Sequence, residues 1–185
     1  MNPIPLRMPG ATLVTRLNVY ATPGPDGQRG GTPHYHQACT EMYFVLSGSG
    51  SVEIIDYHGF QTVELPTHSA FIFSAGTLHR LMNPSGNMEL LIIMQNSGLP
   101  ERGDTVATFK TAILADELRY HKAMKITSLT DAYRRRDDAV EGFLEIKSAF
   151  ARSTTEGREA LEMLYKQSNK LAKTKYKDWY ECVVK

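Results

Sequence analysis

From residue 41 to residue 95 the chain is cut into short β-prone runs, each closed by a turn signal. The runs are Glu41 to Leu46, Ser51 to Tyr57, Phe60 to Leu65, Ala70 to Phe73, Leu78 to Asn83 and Met88 to Gln95. Gly48-Ser49-Gly50, His58-Gly59, Pro66-Thr67, Ala75-Gly76 and Pro84-Ser85-Gly86-Asn87 divide them. Ala11 to Tyr20 adds a β-branched run upstream, and the Gly- and Pro-rich residues 22 to 33 form a loop. Many short, evenly spaced strands predict an antiparallel sandwich or barrel. Closing into a barrel removes exposed edges and leaves room for one small ligand.

After residue 100 the period changes. Ser128 or Thr130 can cap a helix that runs to about Phe150, with Ala132, Val140, Phe143, Ile146 and Phe150 among its apolar residues. Ser153-Thr154-Thr155-Glu156 is a capping box. It opens a second helix whose Leu161, Leu164, Tyr165, Ser168, Leu171, Ala172, Tyr176 and Trp179 share one face. The short link predicts an antiparallel helical hairpin. Its stripes need cover from the barrel, from a second subunit or from both. Three segments follow: a barrel over 1–100, a connector of unassigned form over 101–127, and the hairpin over 128–185.

A chain of 185 residues can bury a core without disulfides. Cys39 and Cys182 are therefore read as reduced thiols of a cytoplasmic protein, with Cys39 an inert small residue. The net charge of +1 argues against nucleic-acid and membrane-surface partners. No apolar run reaches the ~20 residues that span a bilayer, and the first ten residues lack the features of a secretory signal. Arg134-Arg135-Arg136, followed at once by Asp137 and Asp138, reads as a solvated helix face. His58, His68 and His121 read as ordinary surface or satisfied histidines. Phosphate-binding loops, nucleophile elbows and C-x-x-C pairs are absent.

The chemistry lies in residues 33 to 41, PHYHQACTE. His34 and His36 point to one face of a strand, because side chains alternate with period two. Glu41 lies five residues beyond His36, the wrong parity, so a turn or bulge at residues 37 to 40 must reset the phase. His79, on a later strand, can supply a fourth donor. Three imidazoles and a carboxylate suit one divalent transition metal: Fe, Mn, Ni, Cu, Co or Zn. Parity also predicts an apolar pocket drawn from Tyr43, Phe73, Leu81, Asn83 and Ile92, with Arg80 facing away from the donors.

These residues resemble the cupin superfamily. Its first motif is H-x-H, three or four residues, E, six residues, G; His34, His36, Glu41 and Gly48 stand at that spacing. Its second is P-x-G, two residues, H, three residues, N; Gly76, His79 and Asn83 match it. The likeness covers about residues 10 to 96. It departs where Gln28, His68 and Ser74 replace a glycine, a glycine and a proline of the motifs. The resemblance implies a mainly β chain: a single cupin β-barrel (jelly roll, double-stranded β-helix) followed by the helical hairpin. It also implies metal ligation by His34, His36, Glu41 and His79, a catalytic role for Glu41 in carrying a proton, and a homodimer. The expected activity is a dioxygenase-type oxidation of a small organic molecule. The alternatives are a redox-neutral isomerase, epimerase or lyase, and a non-catalytic ligand-binding barrel.

Overall fold

The computed structural model describes residues 12–95, 98–172 and 180. The fold is mainly β with a helical C-terminal part. Strands β1 (Thr12–Asn18), β3 (Glu41–Ser47), β6 (Ala70–Phe73) and β8 (Glu89–Gln95) form one antiparallel sheet, in the order β1-β8-β3-β6. The second sheet is built from β2 (His34–His36), β4 (Gly50–Asp56), β5 (Gly59–Leu65), β7 (Leu78–Met82) and β9 (Thr105–Ala107), in the order β5-β4-β7-β2-β9. Consecutive strands β2 and β3 lie in different sheets, as a jelly roll requires.

Alternation along each strand divides the apolar residues between two cores. Between the sheets, Tyr43 and Val45 of β3, Phe73 of β6 and Leu90 of β8 meet Val52 and Ile54 of β4 and Leu81 of β7. The opposite parity of the second sheet (Tyr35, Ile55, Leu78 and Val106) faces the helices.

The helices are α1 (Thr111–Leu114), α2 (Glu117–Met124), α3 (Leu129–Arg152) and α4 (Thr154–Ala172). Ser128 caps α3 by accepting from the Asp131 amide. Ser153 caps α4 by accepting from the Glu156 amide at 3.1 Å and donates to its carboxylate at 3.4 Å, while its own amide donates to Ala149 O, so the reciprocal half of the capping box is not made. Phe143, Ile146, Leu161 and Leu164 then pack on the outer face of the second sheet, so the barrel supplies the cover that the hairpin needs. Complete burial of a side chain such as Phe143 contributes about 1.5–3 kcal/mol. Polar contacts fix the registry: Thr108 Oγ1 donates to Ala139 O at 2.9 Å, Tyr165 Oη donates to Gly76 O at 2.6 Å, and Tyr35 and Ser168 share a hydroxyl bond. That bond explains a serine in the apolar stripe of α4. Tyr176, Trp179 and Cys182 lie outside the described residues.

Residues 101–127, of unassigned form in the sequence, supply β9, α1 and α2. Strand β9 pairs with β2, setting His34 opposite Ala107 and His36 opposite Thr105. Among the described residues no helix is long and apolar enough to cross a membrane.

Candidate metal centre and ligand cavity

Strand β2 presents His34 and His36 to the barrel interior, and β7 pairs beside it with His79 directly opposite His34. Glu41 comes from the facing sheet. The expected phase reset at residues 37–40 takes the form of a crossing from one sheet to the other, not a bulge within a strand. Ligand atoms of His34, His36 and Glu41 lie within 4.8 Å of one another. Glu41 Oε2 is 3.3 Å from His36 Nε2, 3.2 Å from His79 Nε2 and 4.0 Å from His34 Nε2. Donors about 2.1 Å from a shared ion stand about 3–4 Å apart, so this spacing fits one ion.

Each imidazole is oriented by its other nitrogen. His34 Nδ1 meets Thr32 O at 2.8 Å, and His79 Nδ1 meets Thr77 O at 2.9 Å. His36 Nδ1 meets Asp104 Oδ2 at 2.8 Å. These acceptors place a proton on each Nδ1 and turn the three Nε2 atoms inward, where the neutral rings offer lone pairs. Nε2 of His36 and of His79, and Oε2 of Glu41, are buried without a hydrogen-bond partner among the described residues. Orphaned polar atoms of this kind are costly unless an ion satisfies them. The donor set therefore fits a divalent transition metal.

Asp104 escapes sequence reasoning, because nothing in residues 101–107 marks it. It is fully buried. Besides orienting His36, its Oδ1 accepts from the amides of Ala38 at 2.6 Å and Cys39 at 3.3 Å. Its own carbonyl accepts from the Gln37 amide at 3.1 Å. One residue thus holds the crossing that delivers Glu41 and aims a histidine. Cys39 packs with Met94 and Leu99 and is not one of the clustered donors.

The electrostatics follow from this crowding. Burial, reinforced by the charges of His79 and His36, pulls His34 down to about 3. Burial also acts to lower His36, but the Asp104 and Glu41 carboxylates outweigh it and hold that residue up at about 9. Burial opposes the charge on Glu41, yet the His36 and His79 imidazoles beside it keep its carboxyl well below the usual range. Burial and the Glu41 charge push the Tyr43 phenol well above its ordinary value.

A cavity of about 290 Å³ opens beside the donors. Tyr43, Leu81 and Ile92 line it, together with His34 and Glu41. Phe73 and Asn83, assigned to the pocket by parity, are not on its wall. Phe73 stacks on His79, with ring centroids 4.2 Å apart, and so backs a candidate donor. The Asn83 side chain binds backbone instead, donating to Val19 O at 3.0 Å and accepting from the Met88 amide at 3.1 Å. Arg80 faces away from the donors, buried in a two-point contact with Asp26 at 2.6 and 3.2 Å.

The remaining wall comes from places that parity could not reach: Leu17 and Val19 at the end of β1, Thr32, Met124 of α2 and Arg135 of α3. The arginine run is not a uniformly solvated face. Arg134 is exposed and pairs with Asp131 at 3.0 Å, whereas Arg136 is buried and donates to Thr22 O at 2.8 Å and Pro23 O at 3.0 Å.

Two interlocked sheets with clustered histidines and a carboxylate between them define a double-stranded β-helix with a candidate metal centre. Residues 24–94 match the cupin domain family, and this part of the chain is a cupin domain. CapF, the capsular polysaccharide assembling protein of Staphylococcus aureus, is similar at 17% identity over 54% of this chain and 27% of its own, with a TM-score of 0.42. A Streptomyces PAC13 variant with uridine is 17% identical over 48% of this chain and 61% of its own, with a TM-score of 0.35. An uncharacterized conserved protein with a double-stranded beta-helix domain from Klebsiella pneumoniae is 16% identical over 49% of this chain and 71% of its own, with a TM-score of 0.39. The matched part thus spans about a quarter of CapF and less than two thirds of PAC13. No curated protein matches the chain.

Proposed function

We propose that the protein is a metal-dependent cupin enzyme acting on a small organic molecule, of the dioxygenase type. One observation carries this reading: three imidazoles, each with Nδ1 engaged outward, leave their Nε2 atoms facing a single buried carboxylate oxygen. His34, His36, Glu41 and His79 would hold one divalent ion of iron, manganese, nickel, copper, cobalt or zinc. When bound, such an ion supplies Lewis acidity and, for the redox-active members, chemistry with O2.

The protein's own residues bind and exclude. Leu17, Val19, Leu81, Ile92 and Met124 keep the cavity apolar and shed water from the reacting centre. Among the described residues its wall holds no carboxylate or imidazole beyond the donor set. A redox-neutral isomerase or lyase needs a positioned base. Glu41 is the sole carboxylate on that wall, and it is taken up among the histidines. This absence favours oxidation over isomerisation, with Glu41 able to carry a proton only when its hold on the ion lengthens.

A homodimer belongs to the same proposal. Val14, Ile93, Met42 and Ile72 form a cross-strand row on the outer face of the first sheet, and Ile72 is 63% exposed. An apolar row on a sheet face suits a second copy. We also assign the protein to the cytoplasm, with Cys39 as a thiol.

Elemental analysis of protein purified without chelator, followed by O2 uptake with iron-, manganese- and nickel-loaded samples over a panel of small organic molecules, tests the function. Stoichiometric metal and substrate-dependent O2 consumption are expected. Turnover without O2 would transfer the assignment to the isomerase and lyase class. Protein that stays empty after exposure to all six ions would end the enzymatic reading.

A further inference from the structure

Three consecutive arginines stand on α3, and two are spoken for. Arg134 pairs with Asp131 at the surface, and Arg136 is tied to the backbone of Thr22 and Pro23. Arg135 is different. It lines the 290 Å³ cavity, and its Nε is buried with no hydrogen-bond partner among the described residues. No described carboxylate forms an ion pair with it; Glu41, the one carboxylate on the cavity wall, is committed to the histidines.

Arg135 as a whole is half-buried, but an Nε–H buried without an acceptor is costly, and an acceptor inside the cavity would satisfy it. The cavity is the space into which this group can pair. Its other walls near the mouth are Leu17, Val19, Leu81, Ile92 and Met124. A ligand filling it would meet one fixed cation, apolar sides and the donor cluster. Guanidinium presents a planar fork of donors that matches carboxylate and phosphate oxygens. Arg136 holds the neighbouring turn of α3 against the mouth loop and stacks over the rings of Tyr20 and Tyr133, at 5.4 and 5.3 Å to their centroids, which fixes the helix that carries Arg135.

We propose that Arg135 is the residue that binds the anionic group of the ligand, so that the substrate is a small organic anion with an apolar body. The helical hairpin thereby completes the barrel's site. This deepens the functional reading above; it rests on that reading's cavity and not on its metal.

The test uses chelator-treated full-length protein, so that an acid cannot register by binding a metal. Benzoate, succinate and phenyl phosphate are titrated calorimetrically beside benzamide, succinamide and phenol. The acids are expected to bind and the neutral analogues to fail. Benzoate against phenyl phosphate decides which anion the fork prefers. Arg135→Met should weaken acid binding by roughly 10- to 100-fold, the usual range for a lost hydrogen bond to a charged group. Arg135→Lys should restore part of the loss, and Arg134→Met should change nothing. Circular dichroism and elemental analysis of metal-exposed Arg135→Met should match wild type. Neutral analogues binding as tightly as acids, no binding by any acid, or wild-type affinity in Arg135→Met would each overturn the proposal. If Arg135→Met does not fold, the acid-against-neutral comparison on wild type decides alone. Arg135-dependent acid binding in a protein that takes up no metal would end the enzymatic reading and leave this inference standing.

Discussion

The proton on His36 is placed by Asp104, 68 residues further along the chain. A carboxylate can only accept from Nδ1–H, so in the neutral ring that a metal requires Nε2 is the lone pair. Asparagine at 104 could still accept from the Ala38 and Cys39 amides, but its NH2 would then face Nδ1 and favour the opposite tautomer. Asp104→Asn should therefore keep the fold and weaken metal binding about 10- to 100-fold, the usual effect of losing such an orienting partner. Competition with a chromogenic chelator measures this, and unchanged affinity would refute the tautomer argument. His68 stands where the second cupin motif carries glycine, and its φ of 66° keeps the left-handed backbone that glycine serves. That conformation costs a side-chain-bearing residue about 1–2 kcal/mol. The extra freedom of glycine in the unfolded chain takes back about 0.4–1 kcal/mol. His68→Gly should then stabilise the protein by about 0.5–1 kcal/mol in urea unfolding; a loss of stability would show that the imidazole makes compensating contacts.

Strand β2 is only three residues long, yet it carries two donors. It holds its place because β7 and β9 pair on either side of it. Parity read His34 and His36 correctly onto one face. For Glu41 it demanded a phase change, but local pattern could not say that the chain switches sheets there. The switch depends on Asp104, brought in beside β9, which is a long-range contact. The helices show the same division. Their stripes and capping serines are local signals and could be read directly. The surface they cover was left open, because an apolar stripe does not identify its partner. The fit is close at Gly142, where a Cβ would stand 2.0 Å from Thr108 O. Alanine is the better helix former by about 1 kcal/mol, but the overlap should cost about 1–3 kcal/mol and win. Gly142→Ala is expected to lower stability by about 1–2 kcal/mol in denaturant titration. A gain would mean that α3 can slide on the sheet.

At the scale of the whole molecule, one barrel serves two cores: its interior holds the candidate site, and the outer face of the second sheet seats the helices. The outer face of the first sheet keeps its apolar row, with Val14 38% and Ile72 63% exposed. If a second copy covers it, Ile72→Glu should convert a dimer to a monomer in sedimentation velocity and leave the circular dichroism unchanged; a monomeric wild type would remove this interface. The strands, their turns, the helical stripes and the identity of all four candidate donors were legible in the sequence. Each depends on neighbours a few residues apart: alternation along a strand, three- and four-residue spacing along a helix, and a motif of fixed intervals. Asp104, the turning of Asn83 and Phe73 away from the cavity, and the separate fates of Arg134, Arg135 and Arg136 belong to tertiary structure alone. They are set by which distant segment arrives beside a side chain, and no local period records that.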